Sequence, residues 1–189
     1  LSGTYQSAMI AAAGCSSVYV VDSENASVGC GILVGLALRY LRDGMTASAI
    51  AEKLQEDKKK IVVIALLDTL EYLKRGGRIS KAAFAGGLLN IKPVISIADG
   101  EIQLLGKARG SKMGNNLLAQ QIQKVGGIDF TKPVLLGYTG LSDVLLQKYI
   151  EDSSYLWSAS LDAVRYVSIG SVIGAHAGPG AIAVAFFRK

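Results

Sequence analysis

Apolar positions follow two rhythms along this chain. Stretches with a period near 3.6 predict helices over Tyr5 to Ala13, Ser27 to Arg42, Ala47 to Glu56, Ser111 to about Val125, and Ser142 to about Asp152. Short β-branched or continuous apolar runs predict strands over Ser17 to Val21, Ile61 to Ala65, Pro93 to Ala98, Glu101 to Lys107, Pro133 to Tyr138, Val164 to Ile169 and Ala181 to Phe187. Helix punctuation agrees with this division. Ser2 or Thr4 is placed to cap the first helix and Thr46 the third, while Gly14 and Gly44 close the first two. Asp99-Gly100 between two alternating runs predicts a two-residue hairpin. Alternating strands and helices predict an α/β fold, with a change of pattern and a domain boundary near Lys58. Beyond that boundary the second half reads as a mixed sheet with hairpins and two or three helices.

The stretch from Leu70 to Asp99 concentrates unusual features. A helical run carrying Leu66, Leu70 and Leu73 ends in Lys74-Arg75, and Gly76-Gly77 stop it because glycine takes a left-handed C-terminal conformation without Cβ strain. Arg78 follows, then a small-residue segment (Ala82, Ala83, Ala85, Gly86, Gly87) expected to be a helix that another backbone or a slender ligand can approach closely. The four cations Lys74, Arg75, Arg78 and Lys81 fit either a solvated helix end favoured by the macrodipole or an anion-facing surface.

Composition narrows the class. Half of the 189 residues are hydrophobic and 19% are charged, which suits a packed core and excludes a disordered chain. The net charge of +5 is too small and scattered, and aromatics at 7% too few, to point to nucleic acid. Cys15 and Cys30 lack metal or redox spacing and read as two buried, reduced thiols, as in a cytosolic protein. The opening residues lack the charged region of a signal peptide. The uncharged run from Tyr166 to Phe187 is long enough to span a bilayer, but its glycines, Pro179 and His176 favour strand, turn and strand over an integral membrane segment. Leu1 stands directly before a helix-start motif without Met, which predicts a piece of a longer chain.

Candidate chemistry is sparse. Ser2, Gly3 and Thr4 stand at a helix N-terminus, where free N–H groups and hydroxyls suit either an anion or plain capping. His176, the single histidine, lies in a predicted turn bounded by Gly174, Gly178 and Gly180, where an imidazole either contacts a carboxylate or serves structure. No catalytic residue set, metal-ligating cluster, dinucleotide fingerprint or cofactor motif is found. An anion corner, one histidine, several cations and much apolar surface suit a binding protein for an amphipathic acid.

Six segments in order, SGTYQSA (2–8), VVDS (20–23), LEYLKRGGRIS (70–80), LLNIKPVISIADGEI (88–102), KARG (107–110) and HAGPGAIAVAF (176–186), resemble the DegV family of bacterial fatty-acid-binding proteins over nearly the whole chain. Ala177 stands where the family usually has Thr, and the family carries further chain upstream. The resemblance implies two α/β domains: residues 1–58 as the remainder of an N-terminal parallel-sheet domain, and residues 59–189 as a C-terminal mixed-sheet domain. It implies a long-chain fatty acid held between them by a cytoplasmic, non-catalytic protein. That protein would present the carboxylate to a fatty acid kinase, whose acyl phosphate feeds phospholipid synthesis. By motif, Ser2 would bind the carboxylate with the Gly3 and Thr4 region, and His176 would complete the head-group site. Arg78 and Arg109 are assigned to the docking face or the phosphorylated head group. The acyl slot is expected along the small-residue faces near 29–37 and 82–89, with Phe84, Leu88 and Leu89 as lining. The rivals are an enzyme acting on a small phosphorylated or carboxylated metabolite at the same corner, and a structural piece with no ligand.

Overall fold

The computed structural model describes residues 2–79, 90–98, 100–157 and 164–189. Three helices come first: α1 (Thr4–Ala12), α2 (Val28–Arg42) and α3 (Ala47–Asp57). A single 3-10 turn over Lys58–Lys60 leads into β1 (Ile61–Leu66), followed by α4 (Glu71–Arg75), β2 (Ile91–Ala98), β3 (Glu101–Arg109) and α5 (Ser111–Lys124). The chain ends with β4 (Leu135–Tyr138), α6 (Val144–Asp152), β5 (Arg165–Ser168), α7 (Ser171–Ala177) and β6 (Ile182–Phe187). The strands form one mixed sheet in the order β3-β2-β1-β6-β4-β5. Neighbours are antiparallel except β4 and β5, which are parallel. The protein is thus α/β with a mixed sheet.

Alternation along the central strands sorts their side chains onto two faces. Ile64 and Leu66 of β1, Leu136 of β4, and Ile182, Val184 and Phe186 of β6 pack against Leu118 and Ile122 of α5, Leu146 and Tyr149 of α6, and Trp157. Val63 of β1 with Ala183, Ala185 and Phe187 of β6 face α2, through Val28, Ile32, Leu33 and Leu36, and Leu54 of α3. A smaller cluster continues that second face under α4, with Leu67, Leu70, Leu73, Ile95 and Ala181. The expected division near Lys58 falls at the 3-10 turn, and the helices before it share a core with the sheet after it.

Several local expectations hold. Thr46 caps α3, its Oγ1 accepting the Ala49 N–H at 3.4 Å. Ala98 pairs with Glu101 across the expected hairpin, where Gly100 has φ +72°. Other expectations are corrected. Ser17 to Val21 joins no sheet, because no strand lies beside it among the described residues; Val18 and Tyr19 are exposed. Leu66 belongs to β1, and the helix before Gly76 is confined to five residues. His176 sits in α7 and not in a turn, so the final segment is strand, helix and strand. Cys15 is exposed and Cys30 half-buried, against two buried thiols. The small-residue segment from Ala82 to Gly87, with Lys81, Phe84, Leu88 and Leu89, lies outside the described residues, as does Asp99. No described helix is long and apolar enough to cross a membrane.

Candidate functional site

The α2 side of the sheet does not close completely. A cavity of about 210 Å³ lies between the sheet, the start of α2, and the α4 and α7 region. Its floor is built by register. Ala65 of β1 stands directly opposite Ala183 of β6 on one side and Ile95 of β2 on the other. Ala65, Ala183 and Ala181 all line the cavity. On the reverse face the neighbouring pairs are Ile64 with Val184 and Leu66 with Ile182. Alanine where the other face carries branched side chains leaves the volume unfilled, since packed interiors otherwise admit few voids. Val63, Leu67, Ile97, Ile102, Ile169 and Ile173 complete a mostly apolar wall. The glycines of α2 serve a different purpose from the expected slot. A Cβ on Gly29 would stand 2.7 Å from Val63 Cγ2, and one on Gly31 2.9 Å from Leu135 Cδ2, so these positions admit strand side chains and not a ligand.

Three of the expected site residues, Ser2, Arg78 and His176, line this one cavity. Ser2 precedes α1. Its Oγ accepts the Thr4 N–H at 3.4 Å and donates to Thr4 Oγ1 at 3.1 Å, while Gly3 occupies the N-cap position. Gly3 and Thr4 are exposed and do not line the cavity. Arg78 follows the glycine stop, where its N–H donates to Leu73 O at 2.8 Å and its Nη1 to Gly76 O at 2.7 Å. Arg78 is the guanidinium in the described lining, which contains no carboxylate. Arg109 ends β3 opposite Ile91, exposed and apart from the cavity.

His176 is held by a reciprocal fit between α4 and α7. Its Nδ1 is shielded from solvent, has no hydrogen-bond partner among the described residues, and abuts Gly76, where any Cβ would collide with it. Gly76 has φ −76°, a backbone open to any residue, so the imidazole is the physical reason for glycine there. In return the Tyr72 ring fills the space where a Cβ on Gly178 would stand. Buried Thr139 fixes the following loop: its Oγ1 donates to Gly178 O at 2.5 Å and accepts the Ala181 N–H at 2.8 Å. The KRGGR and HAGPG segments are therefore one interlocked unit. The sequence reading missed Tyr72, Thr139 and the loop entering α2. In that loop Ser27 has φ +52°, Asn25 Oδ1 is buried without a hydrogen-bond partner among the described residues, and both residues line the cavity. A left-handed conformation in a non-glycine residue is strained, and such strain clusters at ligand-facing walls. The polar cluster Asp22-Ser23-Glu24-Asn25 before an apolar helix was the available signal.

The arrangement can enclose an apolar chain and offer a serine hydroxyl, an imidazole and a guanidinium to an acidic head. No group of three or more His, Cys, Asp or Glu residues suited to a metal occurs among the described residues. The sequence pattern of the family described as "Uncharacterised protein, DegV family" matches residues 1–189. The chain belongs to the DegV family. A DegV domain-containing protein of Caldanaerobacter subterraneus is 33% identical over 193 residues, covering 100% of this chain and 67% of that protein. This DegV chain thus spans about two thirds of that relative's length. A fatty-acid-binding DegV protein of Thermus thermophilus superposes with a TM-score of 0.81 at 31% identity, over 98% of this chain and 67% of that one. A stearic acid-binding protein of Eubacterium ventriosum superposes with a TM-score of 0.82 at 30% identity, over 100% of this chain and 67% of that one.

Proposed function

We propose that this DegV chain binds a long-chain fatty acid, with the acyl tail in the alanine-floored cavity and the carboxylate at Ser2 and His176. The observation that carries this reading is a single apolar cavity lined by residues of both motifs, Ser2 at one end of the sequence and His176 at the other. Each buried methylene contributes about 0.8 kcal/mol, so the tail supplies most of the affinity. The head group supplies selectivity, because a buried carboxylate is strongly penalised without donors. Ser2 and His176 are donors of the required kind, and the positive end of the α1 dipole at Gly3 and Thr4 adds to the attraction for an anion. Arg78 offers a charge-assisted contact to the carboxylate or to a phosphorylated head group, and exposed Arg109 belongs with it on the docking face. The protein is a non-catalytic, cytoplasmic carrier that presents the acid to a fatty acid kinase, as the family resemblance implies. The division into residues 1–58 and 59–189 is kept as the functional one, with the acid lying between the two parts.

The test is equilibrium binding of palmitic acid to the unaltered chain and to Ser2→Ala and His176→Ala. A hydrogen bond to a charged group contributes about 1.5–3 kcal/mol, so each variant is expected to weaken binding by roughly 10- to 100-fold while leaving the fold intact. Unchanged affinity in both variants overturns the head-group assignment.

A further inference from the structure

We propose that the chain carries a second ligand site, for a small phosphorylated anion, in the groove between the C-terminal half of α2 and the β4–β5 edge of the sheet. A cavity of about 340 Å³ lies there, larger than the acyl cavity. It sits at the opposite end of α2, about 20 Å away along the helix at 1.5 Å per residue. Its lining brings together Arg39 and Arg42 of α2, Lys132 of the loop before β4, and Arg165 of β5, with Phe130 and Pro133 as apolar walls and no described carboxylate. Helix-dipole stabilisation accounts for Arg39 and Arg42 in the last turn of α2. It does not account for Lys132 and Arg165, which reach the same cavity from two other segments.

Among the described residues the charge there is largely uncompensated. Lys132 is matched by Asp57 at 3.4 Å and lies over the Tyr40 and Phe187 rings. Arg39 donates to the neutral Thr131 carbonyl at 2.6 Å, which fixes its guanidinium without cancelling its charge. Neither Arg42 nor Arg165 forms an ion pair with a described residue. Three guanidinium groups in one concavity, without a counter-charge among the described residues, match the oxygens of a phosphate, which accepts paired N–H donors from each planar fork. The half-exposed Phe130 ring, with Pro133 beside it, gives an organic phosphate ester a surface for its remaining part. The ligand class is therefore a soluble phosphate ester.

Calorimetric titration of the full chain with inorganic pyrophosphate, at ionic strength fixed with sodium chloride, tests the site. One saturable site is expected. The double variant Arg42→Gln with Arg165→Gln should weaken it at least tenfold while leaving palmitic acid binding and the unfolding midpoint unchanged. The control Lys124→Gln with Lys189→Gln, the same loss of charge elsewhere, should leave pyrophosphate binding unaltered. Absence of saturable binding at millimolar pyrophosphate overturns the proposal, as does equal weakening by the two double variants. Retention on phosphatidylglycerol vesicles without pyrophosphate binding also overturns it, by assigning the groove to a membrane surface.

Discussion

The two faces of the central sheet solve opposite problems with the same strands. Toward α5 and α6, β1 and β6 present Ile64, Leu66, Ile182, Val184 and Phe186, and the space is filled. Toward α2 and α4, the same strands present Ala65 and Ala183, with Ala181 just before β6, and a cavity of about 210 Å³ remains. Filled volume is where stability comes from, since apolar burial and close packing are its main sources. Unfilled volume is where a ligand can be held. One alternating strand can do both, because its period of two sends successive residues to different faces.

The sharpest break in this comparison is on the filled face. Trp157 is fully buried, its ring edge-on to Tyr149 and its Nε1 donating to Ser153 Oγ at 2.9 Å. Trp157→Ala is expected to cost about 3–5 kcal/mol in urea unfolding, the range for large aromatic truncations in a core. A loss below about 1 kcal/mol would show that this face is not the stabilising one.

Two alanines on the other face separate packing from cavity. Ala185 is fully buried beneath α2, whereas Ala183 borders the cavity. Ala185→Leu should overpack and destabilise by about 1–3 kcal/mol. Ala183→Leu should cost less, its side chain entering the cavity, and should reduce fatty acid uptake. Equal destabilisation by the two, with uptake retained in Ala183→Leu, would mean the cavity is not the acyl site.

Gly76 gives a smaller and more specific effect. Gly76→Ala should displace the His176 ring and destabilise by about 1–2 kcal/mol, with weaker acid binding. In a His176→Ala background the same change should become neutral or stabilising by about 0.5 kcal/mol, since alanine restricts the unfolded chain. A penalty that persists in that background would remove His176 as the reason for glycine.

The smallest effect is acid sensitivity at the α5–α6 junction. The Lys148 ammonium, with help from the Asn115 amide, holds the Asp152 carboxyl below its ordinary value. A carboxylate whose folded value is depressed contributes stability above its unfolded value of about 3.9, lost as pH falls through the folded one. Asp152→Asn should therefore lower stability slightly at neutrality, with the difference from the unaltered chain vanishing well below about pH 4 so that the acid limb flattens, as acid titration followed by circular dichroism would show.

Much of this was legible in the sequence because it is local. The cap at Thr46, the Asp99-Gly100 hairpin and the strands around Ile64 and Val184 follow from periodicity and turn chemistry. The Ser17 to Val21 strand was misread because strand propensity cannot supply a partner. His176 was placed in a turn because its flanking glycines suggested one, while Gly174 sits within α7 and only Gly178 and Gly180, beyond it, take a positive φ. The pairing of Gly76 with His176, the Tyr72 ring against Gly178 and the meeting of Ala65 with Ala183 join residues about a hundred positions apart, and no local pattern encodes them. The alternation of Ile182, Ala183, Val184, Ala185 and Phe186 did carry a readable hint, large on one face and small on the other.

The most direct measurement is mass spectrometry of an organic extract of the protein purified without detergent, followed by incubation of the delipidated chain with palmitic acid. The account predicts a fatty acid near one equivalent per chain in the extract, and its recovery on incubation. A chain that yields no fatty acid and takes none up would contradict it.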